Sequence, residues 1–140
     1  MKKIILSLIA IFVFSFSFAQ REKNISQKEL TTNAKKAIEY LKKELKLKGT
    51  KLTSVTKAFT KYAENMVSLN EKISKKDDSA KGNSEALVAN KKAKFKMMND
   101  FLKKRDGDAT KGFSKKEIEK YRKSSRAIHP FTLRIKEMKK

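Results

Sequence analysis

The sequence predicts an all-α protein built of helical hairpins, with about four helices. Three observations predict it. Apolar residues recur in steps of three and four along separate stretches, the period of one face of an α-helix. Glycine-containing or polar breaks divide those stretches. Two Ser-x-x-Glu sequences, Ser26 to Glu29 and Ser114 to Glu117, stand at the starts of periodic stretches as capping boxes.

The first residues stand apart from this pattern. Lys2 and Lys3 precede an apolar run from Ile4 to Phe18, and Ser17-Phe18-Ala19 supplies small residues before a cut ahead of Gln20. Residues 1–19 therefore read as a secretory signal peptide of bacterial style, cleaved after Ala19. The run is shorter than the roughly 20 apolar residues needed to span a bilayer. No cysteine follows it to carry a lipid, so the mature chain is expected to have no integral membrane span and to be periplasmic or secreted.

Residues 20–140 then form one basic all-helical domain. The whole chain carries a formal net charge of +21, and loss of the leader removes two lysines from it. There is no cysteine, so no disulfide, thiolate metal site or cysteine nucleophile is available. Leu, Ile, Val and Phe make up about a fifth of the mature chain, at the compositional boundary for disorder. Periodicity, not composition, therefore argues that it folds.

Gln20 to Ile25 is a polar tail. Ser26 opens the first helix, in which Leu30, Ala34, Ala37, Ile38, Leu41 and Leu45 form one apolar stripe while Lys28, Lys35, Lys42 and Lys46 line the far side. Gly49 is the expected left-handed terminator. The second helix carries Leu52, Val55, Phe59, Tyr62, Met66, Leu69 and Ile73, with Thr50 or Thr53 as its cap. The threonines from Thr50 to Thr60 lower its intrinsic propensity, so packing on the first helix must hold it. Lys75 to Ser84 has turn residues and reads as a loop.

A third helix from about Ser84 carries Leu87, Val88, Phe95, Met98, Phe101 and Leu102. Its stripe is interrupted by Lys91 and Lys94. Either their stems lie on the core with the ammonium groups in water, or this face is part of a binding surface. Asp106 to Gly112 reads as a turn. It begins like a calcium loop with Glu117 at the twelfth position, but Thr110, Lys111 and Gly112 interrupt the ligand pattern, so no calcium site is expected. Ser114 opens a short helix with Ile118 and Tyr121, which must end before His129-Pro130. The tail with Phe131, Leu133, Ile135 and Met138 reads either as one or two further helical turns or as a flexible arm.

Candidate chemistry is sparse. His129 is the single histidine, and there is no phosphate loop or nucleophile elbow. The acids are spaced to pair with lysines, as Glu39 is with Lys35 and Lys43. No cofactor and no enzymatic activity are expected. The charge well exceeds the magnitude of about 2–8 that keeps a small domain soluble, which points to an anionic partner such as a nucleic acid, lipopolysaccharide or another anionic polymer.

Two short segments carry a resemblance. Phe113-Ser114-Lys115-Lys116-Glu117, followed by Ile118 and Tyr121, resembles the LTXXQ motif of the Spy/CpxP family of periplasmic stress proteins. An eroded counterpart is Leu47-Lys48-Gly49-Thr50-Lys51, followed by Val55, Phe59, Tyr62 and Ala63; Leu52 to Thr56 is an alternative register. The resemblance spans Leu30 to Ser125. It implies an elongated, cradle-like all-α homodimer that holds unfolded envelope proteins without ATP or modulates envelope stress. The motif residues are then Leu47, Lys51, Tyr62, Phe113, Ser114, Glu117 and Tyr121. Client contact is expected at Lys35, Lys42, Lys46, Lys91, Lys94, Met97, Met98 and Phe101. Binding to a single envelope partner is the remaining alternative.

Overall fold

The computed structural model describes residues 25–136. The expected signal peptide, the tail up to Asn24 and Met138 lie outside the described residues. The described residues are all-α, with four helices: α1 (Gln27–Leu45), α2 (Gly49–Ser79), α3 (Ser84–Ala109) and α4 (Lys115–Ser125). Among the described residues the only β-type pairing is an isolated antiparallel bridge between Ile128 and Ile135.

α1 begins where the sequence places it. Ser26 Oγ accepts the Glu29 N–H at 3.1 Å. The reciprocal half of the expected box is diverted, because the Glu29 carboxylate pairs with the Arg134 guanidinium. Ile25 is not a free tail residue. It packs on the core immediately before the cap, with Leu30 at the fourth helical position, which is the spacing of a hydrophobic staple.

The break after α1 comes earlier than Gly49. Lys46 adopts the left-handed conformation (φ 51°) and its N–H bonds back to the carbonyls of Lys42 and Lys43. Leu47 follows and is buried, so the chain turns where this side chain enters the core. Gly49 is also left-handed (φ 57°), but it opens α2. Neither expected threonine caps that helix. Lys48 is the N-cap, without a side-chain bond, and the Thr53 hydroxyl donates back to the Gly49 carbonyl at 3.2 Å.

α2 runs for 31 residues, about 46 Å, and is the central element. α1 packs against it, as does α3, while α4 packs on α1. Val55, Phe59, Tyr62, Met66, Leu69 and Ile73 form its buried stripe, and Leu30, Ala34, Ile38 and Leu41 answer from α1. Each fully buried Leu or Phe in such a core contributes about 1.5–3 kcal/mol. The core is lean but continuous.

Two expected loops are shorter than the sequence suggested. The run from Lys75 is helical as far as Ser79, since lysine and aspartate continue a helix until something stops it; the stop is the turn at Gly82 (φ 87°). α3 likewise continues through Asp106 and Gly107 to Ala109, which is fully buried and anchors the last turn. The reversal then falls at Gly112 (φ 79°). α4 carries the complete capping box expected of Ser114 and Glu117.

Candidate functional site

The described C-terminal residues, to Lys136, form neither helical turns nor a free arm. After α4, residues 126–136 double back as a closed loop. The N–H of His129 donates to the Arg134 carbonyl and that of Lys136 to the Ala127 carbonyl, both at 2.7 Å. His129 Nδ1 accepts the N–H groups of Phe131 (3.3 Å) and Thr132 (3.2 Å). Burial lowers the His129 pKa, reinforced by the charges of Lys136 and Arg134. An unprotonated Nδ1 is what this loop requires. Leu133 (φ 57°) sits in the left-handed region, held there by its own complete burial.

The loop tip inserts among three helices. Phe131, Thr132 and Leu133 are buried, and the Phe131 ring meets Phe95 of α3 edge-on at 6.1 Å. The helices supply hydrogen-bond donors to its main chain. Tyr62 Oη of α2 donates to the Pro130 carbonyl at 2.8 Å, Arg105 Nη1 of α3 donates to the same oxygen at 3.4 Å, and Asn33 Nδ2 of α1 donates to the Thr132 carbonyl at 2.9 Å. The helices therefore bond to the backbone of the loop and hold its apolar side chains by packing.

Arg105 is the centre of this arrangement. Its side chain is only 4% exposed. The guanidinium lies 4.7 Å from the Phe59 ring centroid and 5.1 Å from that of Tyr62. Nε and Nη2 donate to Asp106 Oδ1 at 3.0 and 2.8 Å, and Tyr121 Oη of α4 donates to the same oxygen at 2.7 Å. Burial, followed by the Asp106 charge, pushes the Tyr121 phenol up from its ordinary value, so the hydroxyl stays a donor. The cluster orients and anchors; its groups are committed to one another.

A second contact joins the two motif-like segments. Lys51 Nζ of α2 lies 2.5 Å from Glu117 Oε1 of α4, while Glu117 Oε2 accepts the Ser114 N–H at 2.8 Å. The bond from Lys51, then that from the Ser114 backbone, holds the Glu117 carboxyl down at about 2. Lys51 Nζ also stands 5.9 Å from the Phe113 ring centroid, and Phe113 meets Tyr121 edge-on at 6.3 Å. Leu47, which opens the first motif-like segment, is buried in the core.

The expected client-contacting residues are divided between two helices. Lys35 and Lys42 are exposed on α1 and Lys46 is exposed at the break just after it; Lys42 approaches Glu39 at 3.9 Å in place of the expected Lys35 and Lys43 pairings. Lys91 and Lys94 are half-buried on α3, and Phe101 is half-buried against the core. Met97 is 40% exposed. Met98 is not available to a client: it is 1% exposed and belongs to the core, because α3 turns its stripe through Met98 and Arg105 towards α2.

Asn33 and Arg105 were not singled out by the sequence reading, which took Asp106 only as the start of a turn and Pro130 only as a helix stop. Only Arg105 carries a signal there, a cation at the helical spacing set by Met98 and Phe101. Among the described residues no group of three or more His, Cys, Asp and Glu is placed to hold a metal ion. No helix among them is long and apolar enough to cross a membrane. Comparison with family models, with curated proteins and with solved structures gave no match to this chain.

Proposed function

We propose that this chain is an exported binder of non-native envelope proteins, acting without ATP and similar in kind to the Spy/CpxP stress proteins. The observation that carries the proposal is the meeting of the two motif-like segments through Lys51 and Glu117. Paired motifs at two helix starts were the basis of the resemblance, and the pair makes them one structural unit. It favours the register Leu47 to Lys51 over Leu52 to Thr56. The basic surface supports the same activity by speeding encounter with acidic unfolded chains in a salt-sensitive way. Exposed Met97 and half-buried Phe101 add adaptable apolar contact.

Stopped-flow capture of a chemically denatured client tests the proposal. Lys35→Glu, Lys42→Glu and Lys46→Glu together are expected to slow capture several-fold at low salt while leaving helicity by circular dichroism unchanged. Capture at the parent rate would contradict it.

A second activity, binding of an anionic polymer, is favoured by a groove between α2 and α3 lined by Lys57, Lys61, Lys104 and Lys111. Glu64 and Asp108 pair with two of these lysines, Lys61 and Lys104. Duplex DNA or lipopolysaccharide affinity would then fall steeply with salt. Weak DNA binding at low ionic strength would eliminate the nucleic-acid version.

A further inference from the structure

We infer that the outward face of α4 is a docking surface for an anionic bilayer, held by phosphate-bearing lipid headgroups without insertion into the hydrocarbon. The inference goes beyond client binding. It rests on the proposed function in one respect only, the export that makes a bilayer the nearest broad array of phosphates.

α4 is short but sharply divided. Tyr121 is buried, and Glu117, Ile118, Ser124 and Ser125 are half-buried. The exposed residues are Lys115, Lys116, Lys120, Arg122, Lys123 and, at the C-cap, Arg126, with Glu119 the one acid among them. At 3.6 residues per turn these side chains fall on a single arc of about 160°. Within it Lys116, Lys120 and Lys123 follow one another at steps of four and three, a continuous row of ammonium groups.

Three observations separate this face from an ordinary solvated one. Each of the three long helices carries an ion pair between residues three or four apart: Lys42 with Glu39, Lys61 with Glu64 and Lys104 with Asp108. On α4, among the described residues, none of the six exposed cations is in an ion pair. Glu117, the acid placed to neutralise them, is drawn away to Lys51 and to the Ser114 N–H. The arrangement also works against the helix. Lys115 and Lys116 stand in its first turn, where the positive end of the helix dipole disfavours cations. Lys116 and Lys120, and likewise Arg122 and Arg126, place like charges four residues apart. Finally, the face carries no apolar or aromatic side chain, so it has nothing to set between lipid tails and nothing to stack on bases. What it can recognise is negative charge spread over a surface, and a bilayer rich in anionic headgroups supplies it.

The test is co-sedimentation of the full mature chain with vesicles of phosphatidylcholine, alone or mixed in equal parts with phosphatidylglycerol. The chain is expected to bind the mixed vesicles at low salt, to leave them at high salt and to ignore phosphatidylcholine alone. Each basic residue beside an anionic lipid surface is worth about fivefold in affinity, so Lys116→Gln, Lys120→Gln and Lys123→Gln together should weaken binding by about tenfold or more. Lys72→Gln, Lys75→Gln and Lys76→Gln remove the same charge from the exposed far end of α2 and should have little effect. Glu119→Gln should strengthen binding several-fold, which damage to the fold cannot do.

No binding to the mixed vesicles at low salt would overturn the inference, as would equal binding to phosphatidylcholine alone. Equal losses from the two triple variants would mean that net charge alone acts, and would overturn it too. Duplex DNA bound more tightly than the vesicles through the same three lysines would give the face to nucleic acid instead. Should the α4 variant lose helicity, lysine acetylation on the unaltered chain decides. Vesicles must protect Lys116, Lys120 and Lys123 and leave Lys72, Lys75 and Lys76 reactive; equal protection would overturn the inference. Vesicle binding without suppression of client aggregation would keep this surface and remove the chaperone activity; the reverse result would do the opposite.

Discussion

Lys51 and Glu117, 66 residues apart, form an ion pair at 2.5 Å that fastens the start of α2 to the start of α4. Glu117 serves two purposes at once, since its other carboxylate oxygen caps α4 through the Ser114 N–H. The pair lies at the surface, where screening limits what it contributes to stability. Its main effect is to fix the relative position of two helix ends.

Acid should release this junction. The Glu117 carboxyl is held at about 2, below its unfolded value of 4.5. The unfolded chain therefore binds the proton first, and the stabilisation from Glu117 is complete above the unfolded value and lost as pH falls towards 2. Glu117→Gln should flatten the acid limb of a urea-denaturation series between those values. An unaltered limb would show that the pair is not formed in solution. Ser114→Ala, which removes the cap itself, should cost about 1 kcal/mol.

His129 predicts a second pH dependence at milder values. Its pKa is lowered in the fold, by burial first and then by Lys136 and Arg134. The unfolded chain thus takes up the proton first, so stability should fall as pH drops below about 6.5. It should level off below the lowered folded value. Protonation at Nδ1 also breaks the bonds from the Phe131 and Thr132 N–H groups. Hydrogen exchange at these two amides should accelerate once the pH falls below about 6.5 and through the lowered folded value, measured against amides of α2 to remove the intrinsic pH effect. His129→Asn should abolish the pH dependence of stability in that range.

Arg105 should be among the least replaceable side chains. Arg105→Met keeps much of its volume, but leaves the Asp106 carboxylate and the Pro130 carbonyl without their cation. Loss of one partner from a buried pair typically costs about 3–5 kcal/mol; the partial exposure of Asp106 places the expectation at about 2–3 kcal/mol. Arg105→Lys should not rescue it, because an ammonium group cannot reproduce the planar stack on Phe59 and Tyr62 together with two bonds to one oxygen. A change below about 0.5 kcal/mol, the range of ordinary surface substitutions, would contradict the assigned role.

The adjacent methionines separate core from surface. Met98→Ala should destabilise by about 2–5 kcal/mol, as expected for truncation of a fully buried side chain, whereas Met97→Ala should stay within about 0.5 kcal/mol. Client capture should respond to Met97→Ala and not to a volume-conserving Met98→Leu. The reverse ranking would mean that α3 is rotated from the orientation described.

Much of the helical framework was legible because periodicity and capping are local. The stripes of α1 and α2 and the starts of α1 and α4 depend on residues within a few positions of one another. The helix ends were less legible. Asp77, Asp106 and Gly107 carry turn-like identities, yet helix continues through them, because Asp106 is engaged by Tyr121 and Ala109 is buried. The break at Lys46 is set by where Leu47 enters the core, not by the glycine two residues later. The loop around Pro130 was illegible for a different reason. Its partners, Asn33, Tyr62 and Arg105, lie 99, 68 and 25 residues from the carbonyls they reach. Tyr62 and Tyr121 were picked out through the motif resemblance, but the oxygens their hydroxyls bind could be identified only from the fold.

Light scattering of a chemically denatured client tests most directly the proposed binding of non-native protein. At low salt, without nucleotide, a near-stoichiometric amount of the mature chain should suppress aggregation. High salt should weaken suppression, and a DNA competitor should leave most of it. Aggregation at the unassisted rate under low salt would contradict the proposal.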